Sequence, residues 1–216
     1  MADIFQEVDE ELRRERLKQL WERYGSVILV VAVLIVAGIG GWRGYQWWEA
    51  KQAAEAGTVF ESAIALSAQG KHQEAEAAFR TIAEKGGAYA VLARIRAAEE
   101  LAHSDRDGAV KALDAVAADS NVARTWRELA RVRAGLLMVD SAAYDTLRQR
   151  LESLTSDQGA FRHTARELLA LSAWRAGDKT IARQWIDALM NDAATPPGTR
   201  ARAEMLLALS TTEPKG

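Results

Sequence analysis

The chain has 216 residues, 28 lysines and arginines against 30 aspartates and glutamates, and no cysteine. Disulfides and thiolate metal sites are therefore excluded. Five basic and seven acidic residues lie before residue 25, leaving 23 of each sign from Arg43 onward. So balanced a domain lacks the clustered basic face that nucleic-acid binding requires, and no nucleic-acid partner is expected.

Residues 3–23 read as a charged amphipathic helix, with Ile4, Phe5, Val8, Leu12, Leu20 and Trp21 on one stripe. Only Gly25 separates it from the apolar run that follows. Residues 25–42 contain no charged side chain, and Ser26 is their only clearly polar residue. At a rise of about 1.5 Å per residue this run approaches the ~30 Å hydrocarbon core of a bilayer. Trp21 and Tyr24 precede it, and Trp42, Tyr45, Trp47 and Trp48 follow it, as a pair of membrane-interface aromatic belts demands. A buried core helix is usually shorter and seldom apolar on every face. A cleaved secretory signal needs a small-x-small site, and Trp42-Arg43-Gly44-Tyr45 is a poor one. The run is therefore read as a signal anchor held in membrane lipid. Arg13, Arg14, Arg16, Lys18 and Arg23 precede it, while only Arg43 and Lys51 follow within a similar distance. That bias orients the N-terminus to the cytoplasm and the C-terminal part outside. The expected division is a cytoplasmic helix over 1–24, an anchor over 25–44 and an external domain over 45–216. No proline interrupts Trp42 to Ala68, so the membrane helix is expected to continue into the first helix of that domain.

The external domain is alanine-rich and nearly free of proline until Pro196-Pro197-Gly198, which predicts helices throughout. A period organises them. Ala75-x3-Phe79, Ala109-x3-Leu113 and Ala143-x3-Leu147 recur every 34 residues, and Ala182-x3-Ile186 follows after 39, implying a five-residue loop insertion. Ala63, Ala97 and Ala170 stand twelve residues ahead of three of these alanines, with Arg131 in the fourth place. Gly70 and Gly177 mark turns in the outer units; Asp105-Arg106-Asp107-Gly108 and Asp140-Ser141 mark them in the inner ones. Small residues let two antiparallel helices approach, and a large residue one turn later fills the space toward the next hairpin. A period of 34 is that of tetratricopeptide helix-turn-helix units stacking into a superhelix. The expected fold is all-α: one N-terminal transmembrane helix, then a TPR-like right-handed superhelix of about four hairpins. Thr199–Ser210 is expected to form a capping helix.

The charged first helix, the single anchor, the junction Trp42-Arg43-Gly44-Tyr45-Gln46-Trp47-Trp48 and the degenerate repeats together resemble the YfgM-like proteins of Gram-negative bacteria. The resemblance covers nearly the whole chain; Arg131 at a small-residue position and the missing proline at the usual end of each unit are departures from the tetratricopeptide pattern itself. It implies an inner-membrane protein whose periplasmic repeat domain associates with the Sec translocon. It also implies work beside a PpiD-type periplasmic chaperone and contact with unfolded secretory chains as they emerge. It brings no catalytic residue.

The residues themselves offer no enzymatic constellation. His72, His103 and His163 read as isolated, solvated or capping histidines, and Glu99-Glu100 as surface charges. Arg124, Arg127 and Arg131 share a helix face that reads as solvated. Gly38-x-Gly40-Gly41 lies inside the apolar run with no preceding strand and no lysine, which excludes a phosphate loop. No catalytic residue, cofactor or metal is expected. Stacked hairpins instead generate a groove lined by the first helix of each unit. Alignment on the repeat alanines directs Phe60, Ile64, Val91, Arg94, Val132, Leu136, Leu171 and Trp174 toward it. So apolar a set suits exposed segments of incompletely folded chains. A membrane-anchored scaffold for envelope assembly or cell division is the alternative.

Overall fold

The computed structural model describes the backbone of residues 2–211 and the side chains of Lys18, 23–27 and 29–210. It is all-helical among these residues. The chain divides into two compact units, 1–54 and 55–216.

The first unit is helical from Ala2, in the long helix α1 (Ala2–Ala68). Gly25 does not interrupt it. The stripe expected over Ile4 to Trp21 falls on side chains outside the described residues.

The second unit takes the end of α1 and then α2 (His72–Lys85), α3 (Ala90–Leu101), α4 (Arg106–Ala118), α5 (Arg124–Met138) and α6 (Tyr144–Leu151). A short 3-10 turn (Glu152–Leu154) leads to α7 (Arg162–Arg175), α8 (Lys179–Asn191) and α9 (Pro197–Thr211). Each helix from α2 onward packs on the next in sequence, and α3, α5, α7 and α9 also touch in turn. The core follows the same order. Phe60, Ala63, Ala75, Phe79, Ile82 and Ala93 join the end of α1, α2 and α3. Ile95, Leu113, Val116 and Ala130 join α3, α4 and α5; Val132, Leu147, Leu151 and Leu169 join α5, α6 and α7. Ala170, Ile186, Leu189 and Leu206 close the array with α9. Each apolar cluster bridges one hairpin and the first helix of the next, the one-dimensional arrangement of a repeat protein.

Local chemistry sets the turns. In the outer hairpins Gly70 and Gly177 have φ of 76° and 79°. Each ends its helix in a Schellman motif: the Lys71 amide donates to the Leu66 carbonyl at 3.0 Å, and the Asp178 amide to the Ala173 carbonyl at 3.0 Å. The second helices α4 and α8 are capped by aspartate, Asp105 accepting from the Gly108 amide at 2.8 Å and Asp178 from the Ile181 amide at 2.9 Å. No atom lies within 4 Å of where a Gly177 Cβ would stand, so Gly177→Ala meets a conformational cost alone. That cost is about 1–2 kcal/mol, and a urea titration of the full chain should show it as a lower midpoint with an unchanged slope.

The third hairpin departs from the pattern. Leu147 keeps its place, fully buried like Phe79, Leu113 and Ile186. Ala143 does not: it is exposed at the N-cap of α6, whereas Ala75, Ala109 and Ala182 are fully buried. The close approach here comes from Gly135 of α5, where a Cβ would stand 3.0 Å from Leu151 Cδ1. Arg131, at the small-residue position, is only half-buried, and Ala130 and Ala134 face the core beside it.

The extra residues before the fourth unit fall between α6 and α7, where a buried arginine organises the segment 155–161. Arg166 of α7 is 6% exposed; its Nε donates to the Thr155 carbonyl at 3.0 Å and its Nη2 to Asp157 Oδ1 at 2.6 Å. Its Nη1 reaches Asp192 Oδ2 at 3.1 Å, where Arg162 Nε (2.7 Å) and His163 Nε2 (3.0 Å) also converge. The Arg162 hydrogen bond foremost, then the Ala194 amide, holds the Asp192 carboxyl far below the usual carboxylate range. A carboxylate depressed on folding contributes stability that is complete above its unfolded pKa, near 4, and is lost as pH falls toward the folded value. The urea midpoint should therefore drop steadily below pH 4. Asp192→Asn should lower it at pH 7 and flatten that acid limb.

Candidate functional site

Two regions have surfaces unlike those of an ordinary soluble domain, and each lies within its own unit. In the first unit the apolar side chains of α1 are uncovered: Val27, Leu29, Val30, Leu34, Val36 and Ile39 are all exposed, Val36 at 70%. So long an apolar helix, open on every face, needs an apolar surrounding. The segment from Arg23 is long and apolar enough to cross a membrane. Tyr24, Trp42, Tyr45, Trp47 and Trp48 are exposed at its two ends, while the Trp21 side chain lies outside the described residues. The Arg23 guanidinium stands 5.8 Å from the Tyr24 ring centre and Lys51 Nζ 5.8 Å from that of Trp47. Basic groups over aromatic rings at both ends suit a headgroup level.

In the second unit the eight side chains aligned on the repeat register separate into four groups. Ile64, Leu136 and Trp174 are exposed, at 41%, 46% and 40%. Val91 and Leu171 are half-buried against the core clusters. Phe60 and Val132 are core residues and cannot line a surface. Phe60 stacks edge-on against Phe79 at 5.1 Å and lies 5.4 Å from Tyr89. Val132 packs into the cluster of Leu147, Leu151 and Leu168. The physical reason is that a first helix meets both its own partner and the next hairpin, which leaves little of its circumference open. Arg94 is engaged rather than free: its Nη1 donates to Asp119 Oδ2 at 2.8 Å, tying α3 to the end of α4. That bond, with the Asn121 amide, holds the Asp119 carboxyl below its ordinary value. Trp126 at the start of α5 is 37% exposed and is not among those eight.

Two expectations about charged residues are overturned. Glu100 is not a surface charge: it is 5% exposed, and its Oε1 accepts from Ser67 Oγ at 2.6 Å. His72 and His103 are not isolated: their rings stack at 3.5 Å, and His72 Nδ1 lies 2.8 Å from Glu100 Oε2. Burial alone would push the Glu100 carboxyl up; the hydrogen bonds from Ser67 and His72 outweigh it and hold the group below its usual value. No sequence spacing announces this cluster. His72 opens α2 and His103 follows the end of α3, and antiparallel packing of α2 on α3 brings those ends together.

A model of the tetratricopeptide repeat-like domain matches residues 18–195, most of the chain. The chain belongs to that family. An ancillary SecYEG translocon subunit of Haemophilus influenzae is 32% identical over 95 residues, 43% of this chain and 46% of that protein. The match thus spans about half of that relative's length. No solved structure matches. The two matches bear out the YfgM-like resemblance read from the order of parts. In this TPR-like protein the all-helical hairpins carry the family's architecture.

Proposed function

We propose that this chain is a single-pass inner-membrane protein and an ancillary subunit of the Sec translocon, acting by binding rather than catalysis. The observation that carries the reading is one uncovered apolar helix ahead of a TPR-like domain, in a chain related to an ancillary SecYEG translocon subunit. Residues 1–24 lie in the cytoplasm, 25–44 cross the bilayer and 45–216 stand in the periplasm, as the positive-charge bias favours. The domain meets a PpiD-type chaperone and emerging secretory chains, and the exposed side chains of Ile64, Leu136 and Trp174 contact apolar segments of those chains. Isolated apolar side chains on separate first helices support weak binding with little sequence demand, as successive unrelated clients require.

Mild-detergent purification of the full chain from membranes is the test. Translocon subunits should come with it in amounts comparable to the chain itself. A discrete set of envelope-assembly or division proteins without translocon subunits would favour a scaffold and overturn the reading. A reporter active only outside the cytoplasm, fused after Gly216, should be active; an inactive fusion in a membrane-inserted chain would reverse the topology.

A further inference from the structure

Beyond protein binding, the cluster between the first two hairpins of the second unit carries chemistry of its own. Glu100, nearly withdrawn from water, is held by Ser67 at Oε1 with its Oε2 directed at His72. One donor atom from each of His72, Glu100 and His103 lies within 4.8 Å of the others. They border a solvent-open cleft of about 340 Å³, lined also by Lys71, Gln73, Glu74, Glu76 and Ser104. We propose that His72, Glu100 and His103 bind a divalent transition-metal ion of the zinc class.

The donor set argues for that class. Two imidazole nitrogens and one carboxylate oxygen match zinc, whereas calcium and magnesium require more oxygen ligands than these three converging side chains supply. Three protein ligands with the fourth position open to the cleft is a zinc arrangement that keeps a water. Ser67 plays the supporting part: its hydroxyl fixes one carboxylate oxygen and leaves the other to the ion, as outer hydrogen bonds do around metal sites. One ligand pair is already adjacent. Tetrahedral ligands at about 2.0–2.1 Å from the ion stand about 3.3 Å apart, and His72 Nδ1 and Glu100 Oε2 already stand at 2.8 Å.

One movement is required. The two rings are inclined by only 9°, so their in-plane lone pairs lie in nearly parallel planes, and no ion can sit in both. His103 supplies the change. It is exposed, in the turn between α3 and α4, and rotation of its side chain brings a ring nitrogen toward Oε2 without disturbing a helix. Arg96 lends positive potential at Glu100, which weakens the site without blocking it, since its Nη1 is engaged by Glu99 at 2.9 Å. The bound ion pins the turn at Gly70, between α1 and α2, to the end of α3.

The test uses the full chain in detergent, purified without a polyhistidine tag and stripped with a chelator. Zinc is titrated calorimetrically, and cobalt(II) serves as a probe whose visible absorption reports tetrahedral nitrogen and oxygen ligation. One saturable zinc ion per chain and an intense cobalt band are expected. His72→Ala and His103→Ala should each abolish the band, and Ser67→Ala should weaken zinc binding by about tenfold or more. Because His103 is exposed, the chelated His103→Ala chain should melt like the chelated parent, which separates lost ligation from lost folding. Absence of saturable zinc binding would overturn the proposal, as would a band that survives in both histidine variants.

Discussion

Replacing Val33 and Val36 together by arginine should release the chain from membranes washed with alkaline carbonate, while the parent chain stays in the pellet. Both side chains are exposed near the middle of the apolar run of α1, three residues apart and therefore on one face. An arginine at the centre of a membrane helix costs about 2.5–3.5 kcal/mol on insertion scales, so two cost roughly 5–7 kcal/mol. By that measure the inserted fraction falls by three orders of magnitude or more, since each ~1.4 kcal/mol is a factor of ten. Snorkelling cannot rescue them, because the headgroup level is about half a bilayer away in either direction. The control is Val33→Leu with Val36→Leu, which preserves the hydrocarbon surface and should stay in the pellet. Release of the parent chain by carbonate would contradict the anchor itself.

The second large effect lies in the first hairpin. Phe79 is fully buried, stacked edge-on against Phe60 and overlain by the Arg96 guanidinium at 5.7 Å. Phe79→Ala leaves a cavity between the end of α1, α2 and α3 and should cost about 3–5 kcal/mol. In a thermal melt of the full chain in detergent the transition of the helical domain should fall by roughly 10 °C. Ile64→Ala, one turn from Phe60 but 41% exposed, should cost less than about 1 kcal/mol. Equal losses in the two variants would contradict the assignment of Phe79 to the core and Ile64 to the surface.

The contrast between those residues also explains how far the fold was legible in the sequence. The large member of each repeat, Phe79, Leu113, Leu147 and Ile186, lies fully buried at the spacing read from the chain. That periodicity survives because each of these side chains fills the same gap in successive hairpins, and a gap in a packed core admits few alternatives. The turn glycines were legible for a related reason: φ near +76° leaves glycine with little competition. Small residues were less informative. In an alanine-rich chain Ala143 satisfies the pattern by composition, whereas the close contact is made at Gly135, which faces Leu151 across the hairpin.

Surface assignments were the least legible. Phe60 and Val132 satisfy the spacing of a first-helix lining, yet both face inward, because the alignment gives a position along the helix but not the angle at which the next hairpin arrives. Glu100 was unreadable for the opposite reason. Charge predicts exposure unless partners are present, and its partners, Ser67 and His72, are far from it along the chain. The exposure of the junction aromatics was easier to read, and Trp42, Tyr45, Trp47 and Trp48 all lie exposed.

On the proposed function, the repeat domain meets translocon subunits and secretory chains through its exposed first-helix side chains. A photoreactive residue at Trp174, 40% exposed on α7, tests it in intact cells, with Arg183 on α8 as the control position. Position 174 should give adducts with translocon subunits and with a spread of secretory chains, and position 183 few. A single discrete envelope partner from position 174, with no translocon subunit and no secretory chains, would contradict it.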